Sequence, residues 1–326
     1  MRHGSGPDTI NGKQDILMKN KLSAVLFAAA ALLGCAGCGS AESGSAGEPD
    51  QRVFGFYYNW YGNTEGNGKE VHWGHGVIGN NSYDGPADYI PGVDNIAANF
   101  YPELKNYSST DPAIVARHVE MMAKARIGVA VVTWWGDNDF GSPALPVLFD
   151  QAAKHGMKVC FHIEPYHDRN PENLRANIAK LLGRYGSHPA FYRMDGRPCF
   201  FIYDSYITPA SEWARLLQPD GDLTIRDAVM IGLWVKEHEE DYFTESGMDG
   251  FYTYFDATGF TYGSTPANWK KMQAWAGQNG KVFIPCVGPG YIDTRVRPWN
   301  GSTTRDRGNG KYYDDMFGAA VASGAP

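Results

Sequence analysis

Short apolar runs alternate along the chain with longer segments whose apolar residues recur at helical spacing. Seven runs rich in β-branched and aromatic residues read as strands: 53–58, 128–133, 158–163, 198–203, 229–235, 249–255 and 282–287. Between most of them the period lengthens to that of a helix. Asp111-Pro112 opens one helix, with Ile114, Val115, Val119 and Met122 on a common face. Residues 143–155 carry a second, and Asn170-Pro171-Glu172 opens a third that buries Leu174, Ile178, Leu181 and Leu182. Helical patterns return over 266–278 and 313–322. Strand–helix alternation predicts a parallel sheet covered by helices. No Gly-rich phosphate loop follows the first strand, which weakens a nucleotide-binding fold. The expected fold class is α/β, a (β/α)8 TIM barrel with seven strands in the sequence. The eighth, which closure requires, is expected beyond Pro326.

In such barrels function sits where the strands end. Those ends read Tyr58-Asn59-Trp60-Tyr61, Thr133-Trp134-Trp135, His162-Ile163-Glu164-Pro165-Tyr166, Tyr203-Asp204-Ser205-Tyr206, Tyr252-Thr253-Tyr254-Phe255-Asp256 and Gly288-Pro289-Gly290-Tyr291-Ile292-Asp293. Each supplies aromatic rings, a carboxylate, or both, so together they predict a polar cleft with stacking walls. Net charge of −7 and a pI near 5.7 argue against nucleic acid as a partner. The aromatic content of 13% suits stacking on the apolar faces of sugars, or else fills a core.

His162 and Glu164 lie two apart, so both side chains share one face of their strand. Three readings are open. Glu164 binds ligand hydroxyls, steadied by its neighbours; the two form a buried polar pair; or His162, Glu164 and His167 hold a metal. Trp134-Trp135 offers a sugar platform, or one core ring and one rim ring. His72 and His75 sit in a long loop over the mouth, as binding residues or as solvated ones. Arg295 and Arg297 either donate to ligand hydroxyls or pair with Asp293 or Asp306. Glu237, Glu239 and Glu240 read as a solvated helix face. Glycoside hydrolysis ordinarily uses two carboxylates across the scissile bond, and Glu164, Asp204 and Asp256 declare no such pair. No Gly-x-Ser-x-Gly elbow is present, which disfavours a serine hydrolase. Cys160, Cys199 and Cys286 lie in apolar runs without zinc spacing and read as small buried hydrophobes.

The N-terminal segment reads as an address. Lys19 and Lys21 precede an apolar run over 22–33, too short to span a bilayer as a mature helix. Leu32-Leu33-Gly34-Cys35 resembles a bacterial lipobox, with Cys35 the lipidated residue and Cys38 the alternative. Residues 1–35 are therefore expected to be a signal peptide, with translation starting at Met1 or Met18. Residues 36–50 are expected to be a flexible linker, and 51–326 the barrel domain. The expected location is the bacterial cell envelope, with the membrane touched only through the lipid.

Several stretches carry a family resemblance: Phe-Tyr-Tyr-Asn-Trp-Tyr-Gly at 56–62, Asn-Phe-Tyr-Pro-Glu-Leu at 99–104, Thr-Trp-Trp-Gly at 133–136, Phe-His-Ile-Glu-Pro-Tyr at 161–166, Phe-Phe-Ile-Tyr-Asp-Ser at 200–205, Gly-Phe-Tyr-Thr-Tyr-Phe at 250–255, and the run from Gly288 to Asn300. With these the chain resembles glycoside hydrolase family 99, the endo-α-mannosidases and bacterial endo-α-1,2-mannanases. The resemblance implies retaining endo-cleavage of α-mannosides in mannan or N-glycan chains, through a 1,2-anhydro sugar, with no metal or other cofactor. It implies sugar contacts from Tyr61, His72, Glu164, Tyr254 and Arg297, and from Trp134 or Trp135, with Trp135 favoured. A Trp-Trp pair resembles the bacterial, mannan-preferring form. The family's catalytic carboxylates sit in a Glu-Trp-x-Glu-Gly-Thr motif after the eighth strand. That motif is absent, Ser211-Glu212-Trp213 does not match it, and the pair is expected beyond Pro326. The rival expectation is a surface glycan-binding lipoprotein without catalysis.

Overall fold

A computed structural model describes residues 47–74, 96–223, 225 and 227–326. The expected signal peptide, Cys35, Cys38 and His75 lie outside the described residues. Seven strands form one parallel sheet: β1 (Asp50–Tyr57), β2 (Ile127–Trp134), β3 (Lys158–Ile163), β5 (Arg197–Ile202), β6 (Val229–Leu233), β7 (Gly250–Tyr252) and β8 (Val282–Ile284), paired in that order. A two-residue strand, β4 (Arg193–Met194), folds back antiparallel on β5. Among the described residues β1 pairs with β2 alone and β8 with β7 alone. The sheet is thus the curved, seven-stranded portion of a TIM-type barrel. No described helix is long and apolar enough to cross a membrane.

The helices lie between successive strands: α2 (Pro112–Lys124), α3 (Leu145–Lys154), α4 (Pro171–Tyr185), α5 (Ala210–Leu217), α6 (Glu240–Glu245), α7 (Trp269–Gln278) and, after β8, α8 (Lys311–Ser323). A single turn, α1 (Thr64–Asn67), lies in the loop after β1. The predicted starts hold where the capping chemistry is local. The Asp111 carboxylate accepts from the Ala113 N–H ahead of Pro112, and Asn170 and Asn173 exchange bonds as a capping box ahead of α4.

Alternation within the strands divides the interior in two. Val132, Trp134, Phe161, Ile163, Phe200 and Phe251 face the helices. Val129, Val131, Cys160, Cys199, Phe201 and Tyr252 face the lumen, where Phe54 and Phe56 join them. All three described cysteines are buried and unbridged.

Several boundaries differ from the sequence expectation. β1 starts at Asp50, assigned to the linker, because Asp50 already pairs with Ile127 of β2. β7 ends at Tyr252 rather than residue 255, because Tyr254 adopts φ 51° and breaks the extended run. β8 ends at Ile284, ahead of Pro285, which has no N–H for the ladder. Glu239 is not on a solvated face: it precedes α6, half-buried, and its carboxylate accepts from the Val235 N–H at 2.7 Å.

The sheet–helix layer depends on large rings. Phe251 is fully buried against Trp234, Phe243, Trp275 and Phe283, at centroid separations of 4.6, 5.2, 5.9 and 5.2 Å. Phe251→Ala leaves a cavity that four rigid rings close poorly. It is expected to cost about 3–5 kcal/mol, read as a lowered urea midpoint at unchanged slope.

Candidate active site

The lumen-facing register places the polar strand ends together. Along and just past β1 it runs Phe54, Phe56, Tyr58; on β2, Val129, Val131, Thr133; along and just past β3, Cys160, His162, Glu164; along and just past β5, Cys199, Phe201, Tyr203; and from the end of β7, Tyr252 and Tyr254. Apolar residues fill the lower lumen, and hydroxyl, imidazole and carboxylate groups occupy its C-terminal end.

Glu164 is the hub, only 3% exposed. Its Oε1 accepts from Thr133 Oγ1 at 2.6 Å and lies 2.8 Å from His162 Nδ1. His162 Nε2 lies 2.7 Å from the Tyr252 hydroxyl. Burial pushes the phenols of Tyr58, Tyr203, Tyr252 and Tyr254 up, Tyr254 to about 12, and the nearby Glu164 adds to each rise. The Tyr58 and Tyr254 hydroxyls meet at 2.5 Å, and the Tyr254 ring lies parallel to His162 at 5.8 Å. The mouth therefore holds protonated phenols around a buried carboxylate, a donor-rich wall with a concentrated acceptor.

The loop after β1 forms a second wall. Trp60 stacks on His72 at 4.5 Å and Tyr61 on Trp73 at 4.1 Å. The Tyr61 backbone is tied to Ser109, whose N–H donates to the Tyr61 carbonyl at 2.7 Å. Asn59, buried, donates to the Gly141 carbonyl at 2.8 Å and so binds this loop to the one after β2. A Cβ on Gly141 would lie 2.4 Å from the Asn59 carbonyl oxygen, so that crossing needs glycine.

The tryptophan pair is divided. Trp134 is 2% exposed, its ring packed between sheet and helices with an edge against Tyr166. Trp135 stands open at the rim, 36% exposed. Of the two rings, Trp135 has the surface a ligand needs. After β8, Arg297 pairs with Asp293 at 3.1 Å, and Asp293 also accepts from Tyr291 and Asn300. Arg297 is half-buried and lines the mouth of a cavity of about 1650 Å³ with Tyr58, Tyr203, Tyr254, Asp256 and Tyr291. That cavity continues down between β1 and β8. Arg295 instead donates to the Ile96 carbonyl at 2.6 Å.

The metal reading fails on geometry. The His167 side chain is 94% exposed and paired with Asp168, while His162 is buried beside Glu164. No group of three ligating side chains with metal geometry occurs among the described residues.

Two site residues escaped the sequence reading. Arg169 is half-buried, and its guanidinium donates to the carbonyls of Ile163, Tyr203 and Asp204 at 3.3, 2.6 and 2.8 Å. It ties the ends of β3 and β5 together and holds Asp204 at φ 46°. Asp139 is half-buried after β2, and its carboxyl is pushed up by burial and by the nearby Glu164. No spacing rule points to an arginine in this role; its signal is only its place, five residues after Glu164.

Comparison with known proteins agrees with this geometry. Residues 49–326 match the model of glycosyl hydrolase family 99. The chain is 43% identical to the glycoprotein endo-alpha-1,2-mannosidase of Rattus norvegicus and 44% identical to that of Mus musculus. Each match covers 82% of this chain and 62% of the relative. It also resembles the solved structure of the GH99 endo-alpha-mannosidase from Bacteroides thetaiotaomicron, with a TM-score of 0.82 and 54% identity, over 85% of this chain and 83% of that one. The chain belongs to glycosyl hydrolase family 99. It spans less than two thirds of the length of the mammalian relatives.

Asp256, also at the mouth, is half-buried. Burial raises its carboxyl to about 6, from an ordinary value of 3.8. The unfolded chain thus releases this proton at lower pH than the folded one. The stabilisation is complete below the unfolded value and is lost as pH rises through the folded one. The urea midpoint of the protein, relative to Asp256→Asn, is expected to fall between about pH 4 and about pH 6.5 and then level off.

Proposed function

We propose that this chain is part of a retaining, endo-acting α-mannoside hydrolase of the endo-α-1,2-mannanase type, acting on mannan or on the mannose chains of N-glycans. The observation that carries the reading is the buried Glu164 carboxylate, presented to a tyrosine-walled mouth in a chain of family 99. A neutral sugar offers hydroxyls that both donate and accept, which suits phenol donors around one acceptor.

In this reading Glu164 accepts from a mannose hydroxyl, Tyr61, His72 and Tyr254 line the sugar, and Arg297 donates to it while anchored by Asp293. Trp135 rather than Trp134 is the platform at the subsite before the cleaved bond. The higher identity to the Bacteroides protein than to the rat one supports the bacterial, mannan-preferring form. We place the catalytic carboxylates in a Glu-Trp-x-Glu segment following Pro326, on a strand between β1 and β8. Among the described residues β1 and β8 each leave one edge without a neighbouring strand, and these edges, with the cavity between them, support that placement. One carboxylate takes the proton of the mannose 2-hydroxyl as that oxygen closes on the anomeric carbon. The other protonates the departing glycosidic oxygen, and water then opens the anhydro ring. The lipobox at Cys35 supports a lipid-anchored protein of the bacterial envelope.

The rival is a surface glycan-binding lipoprotein without catalysis. It is favoured by the donors that already engage Glu164, and by the lack of a facing carboxylate pair among the described residues. The protein, expressed with its natural continuation, is expected to release short α-mannosides from yeast mannan with retained configuration. No release anywhere between about pH 5 and about pH 8 would sink the enzyme reading. Binding of mannan without release would favour the rival. Glu164→Gln is expected to lower kcat/KM by roughly 10- to 100-fold, the scale of a hydrogen bond to a charged group. Trp135→Ala is expected to raise KM with little change in thermal stability, whereas Trp134→Ala costs about 3–5 kcal/mol of stability.

A further inference from the structure

The buried groups behind Glu164 form a directed chain of hydrogen bonds. Oε1 of Glu164 already acts as an acceptor toward the Thr133 hydroxyl, so the 2.8 Å contact with the same oxygen assigns His162 Nδ1 as the donor. In the neutral ring Nε2 is then left to accept, and the Tyr252 hydroxyl lies 2.7 Å from it. Tyr252 is wholly buried, which keeps the proton on its oxygen and makes it the donor. Phe56, Tyr203 and Tyr254 hold the imidazole ring, at centroid distances of 5.0, 5.3 and 5.8 Å. With Thr133 also donating to Oε1, that oxygen is occupied twice, and Oε2 accepts nothing from the described residues.

We propose that His162 is a positioning residue: its Nδ1–H, oriented by Tyr252, fixes the Glu164 carboxylate so that Oε2 alone meets a hydroxyl of the sugar. The inference rests on the reading of Glu164 as a sugar-binding acceptor. Without the imidazole the carboxylate pivots about the Thr133 bond, and Oε2 no longer has one direction.

Two measurements on the protein with its natural continuation test this. Nitrogen-15 NMR at about pH 8, above the ordinary imidazole range, is expected to show Nδ1 of His162 protonated and Nε2 bare. The Nε2 resonance should move in Tyr252→Phe, which keeps the ring. A bare Nδ1 overturns the proposal, and this arm needs no catalysis. The second is a double-mutant cycle on mannan cleavage. His162→Leu is expected to lower kcat/KM by about 10- to 100-fold, and His162→Asn, whose amide stands near Nδ1, to recover part of the loss. His162→Leu combined with Glu164→Gln should lose no more than Glu164→Gln alone. Losses that multiply would mark His162 as merely structural and overturn the proposal. A parent protein that cleaves no mannan would overturn the function reading instead, and the NMR result would still decide the positioning claim.

Discussion

A strand has two faces, and its residues must alternate between them. In this protein that constraint decides both the core and the site. Odd positions of β2 and even positions of β1 and β3 point into the lumen, where Phe54, Phe56, Val129, Val131 and Cys160 form an apolar layer below the mouth. The same register, carried one or two residues past the ladder, delivers Tyr58, Glu164, Tyr203 and Tyr254 to the place where Thr133 ends the lumen face of β2. A one-residue slip of β3 would send His162 and Glu164 into the helix layer, where nothing satisfies them. Burying an ionised group without partners is expensive, so the donors on Glu164 help hold the register as well as the site.

Where the strands stop, the backbone is bent to keep these side chains aimed. Asp204, Tyr254 and His72 all take left-handed conformations, at φ 46°, 51° and 59°. Such conformations cost about 1–3 kcal/mol each for residues other than glycine and persist only where the surroundings hold them. The holders can be named. The Arg169 guanidinium spans the ends of β3 and β5 and receives the Asp204 carbonyl. The phenol of Tyr312, on α8, donates to the Asp256 carbonyl and so braces the turn after Tyr254. Trp60 stacks on His72. Two of these three, His72 and Tyr254, are proposed to meet the ligand; left-handed residues also occur away from the mouth, as at Arg126 and Asp195.

The strands were legible in sequence because β-branched and aromatic runs stand out between helical periods. Their ends were not, because hydrophobicity continues past the last ladder bond at Tyr252 and Ile284 while the backbone has already turned. The β4–β5 hairpin had a readable signal, Asp195-Gly196, which takes positive φ at both residues as such a tight turn requires. Parity also sorts the tryptophans: Trp135 continues the 129-131-133 series, and Trp134 belongs to the helix face. Nothing local predicts Arg169, since its partners are backbone carbonyls of two strands brought together only by the fold. The link from Tyr252 to His162 crosses 90 residues and is equally invisible to spacing.

Glu164 and Asp256 show how one mouth gives two carboxyl groups different work. Glu164 sits among donors, and its charge discourages ionisation of the four phenols nearest it, so the wall stays neutral and able to donate. Asp256 gains no side-chain donor among the described residues, and burial alone raises it to about 6. A carboxyl in that range changes charge on passing from mildly acidic to neutral solution. The difference in surroundings follows from placement: Glu164 lies in the lumen register beside Thr133 and His162, and Asp256 lies beyond a left-handed turn, against Gly288.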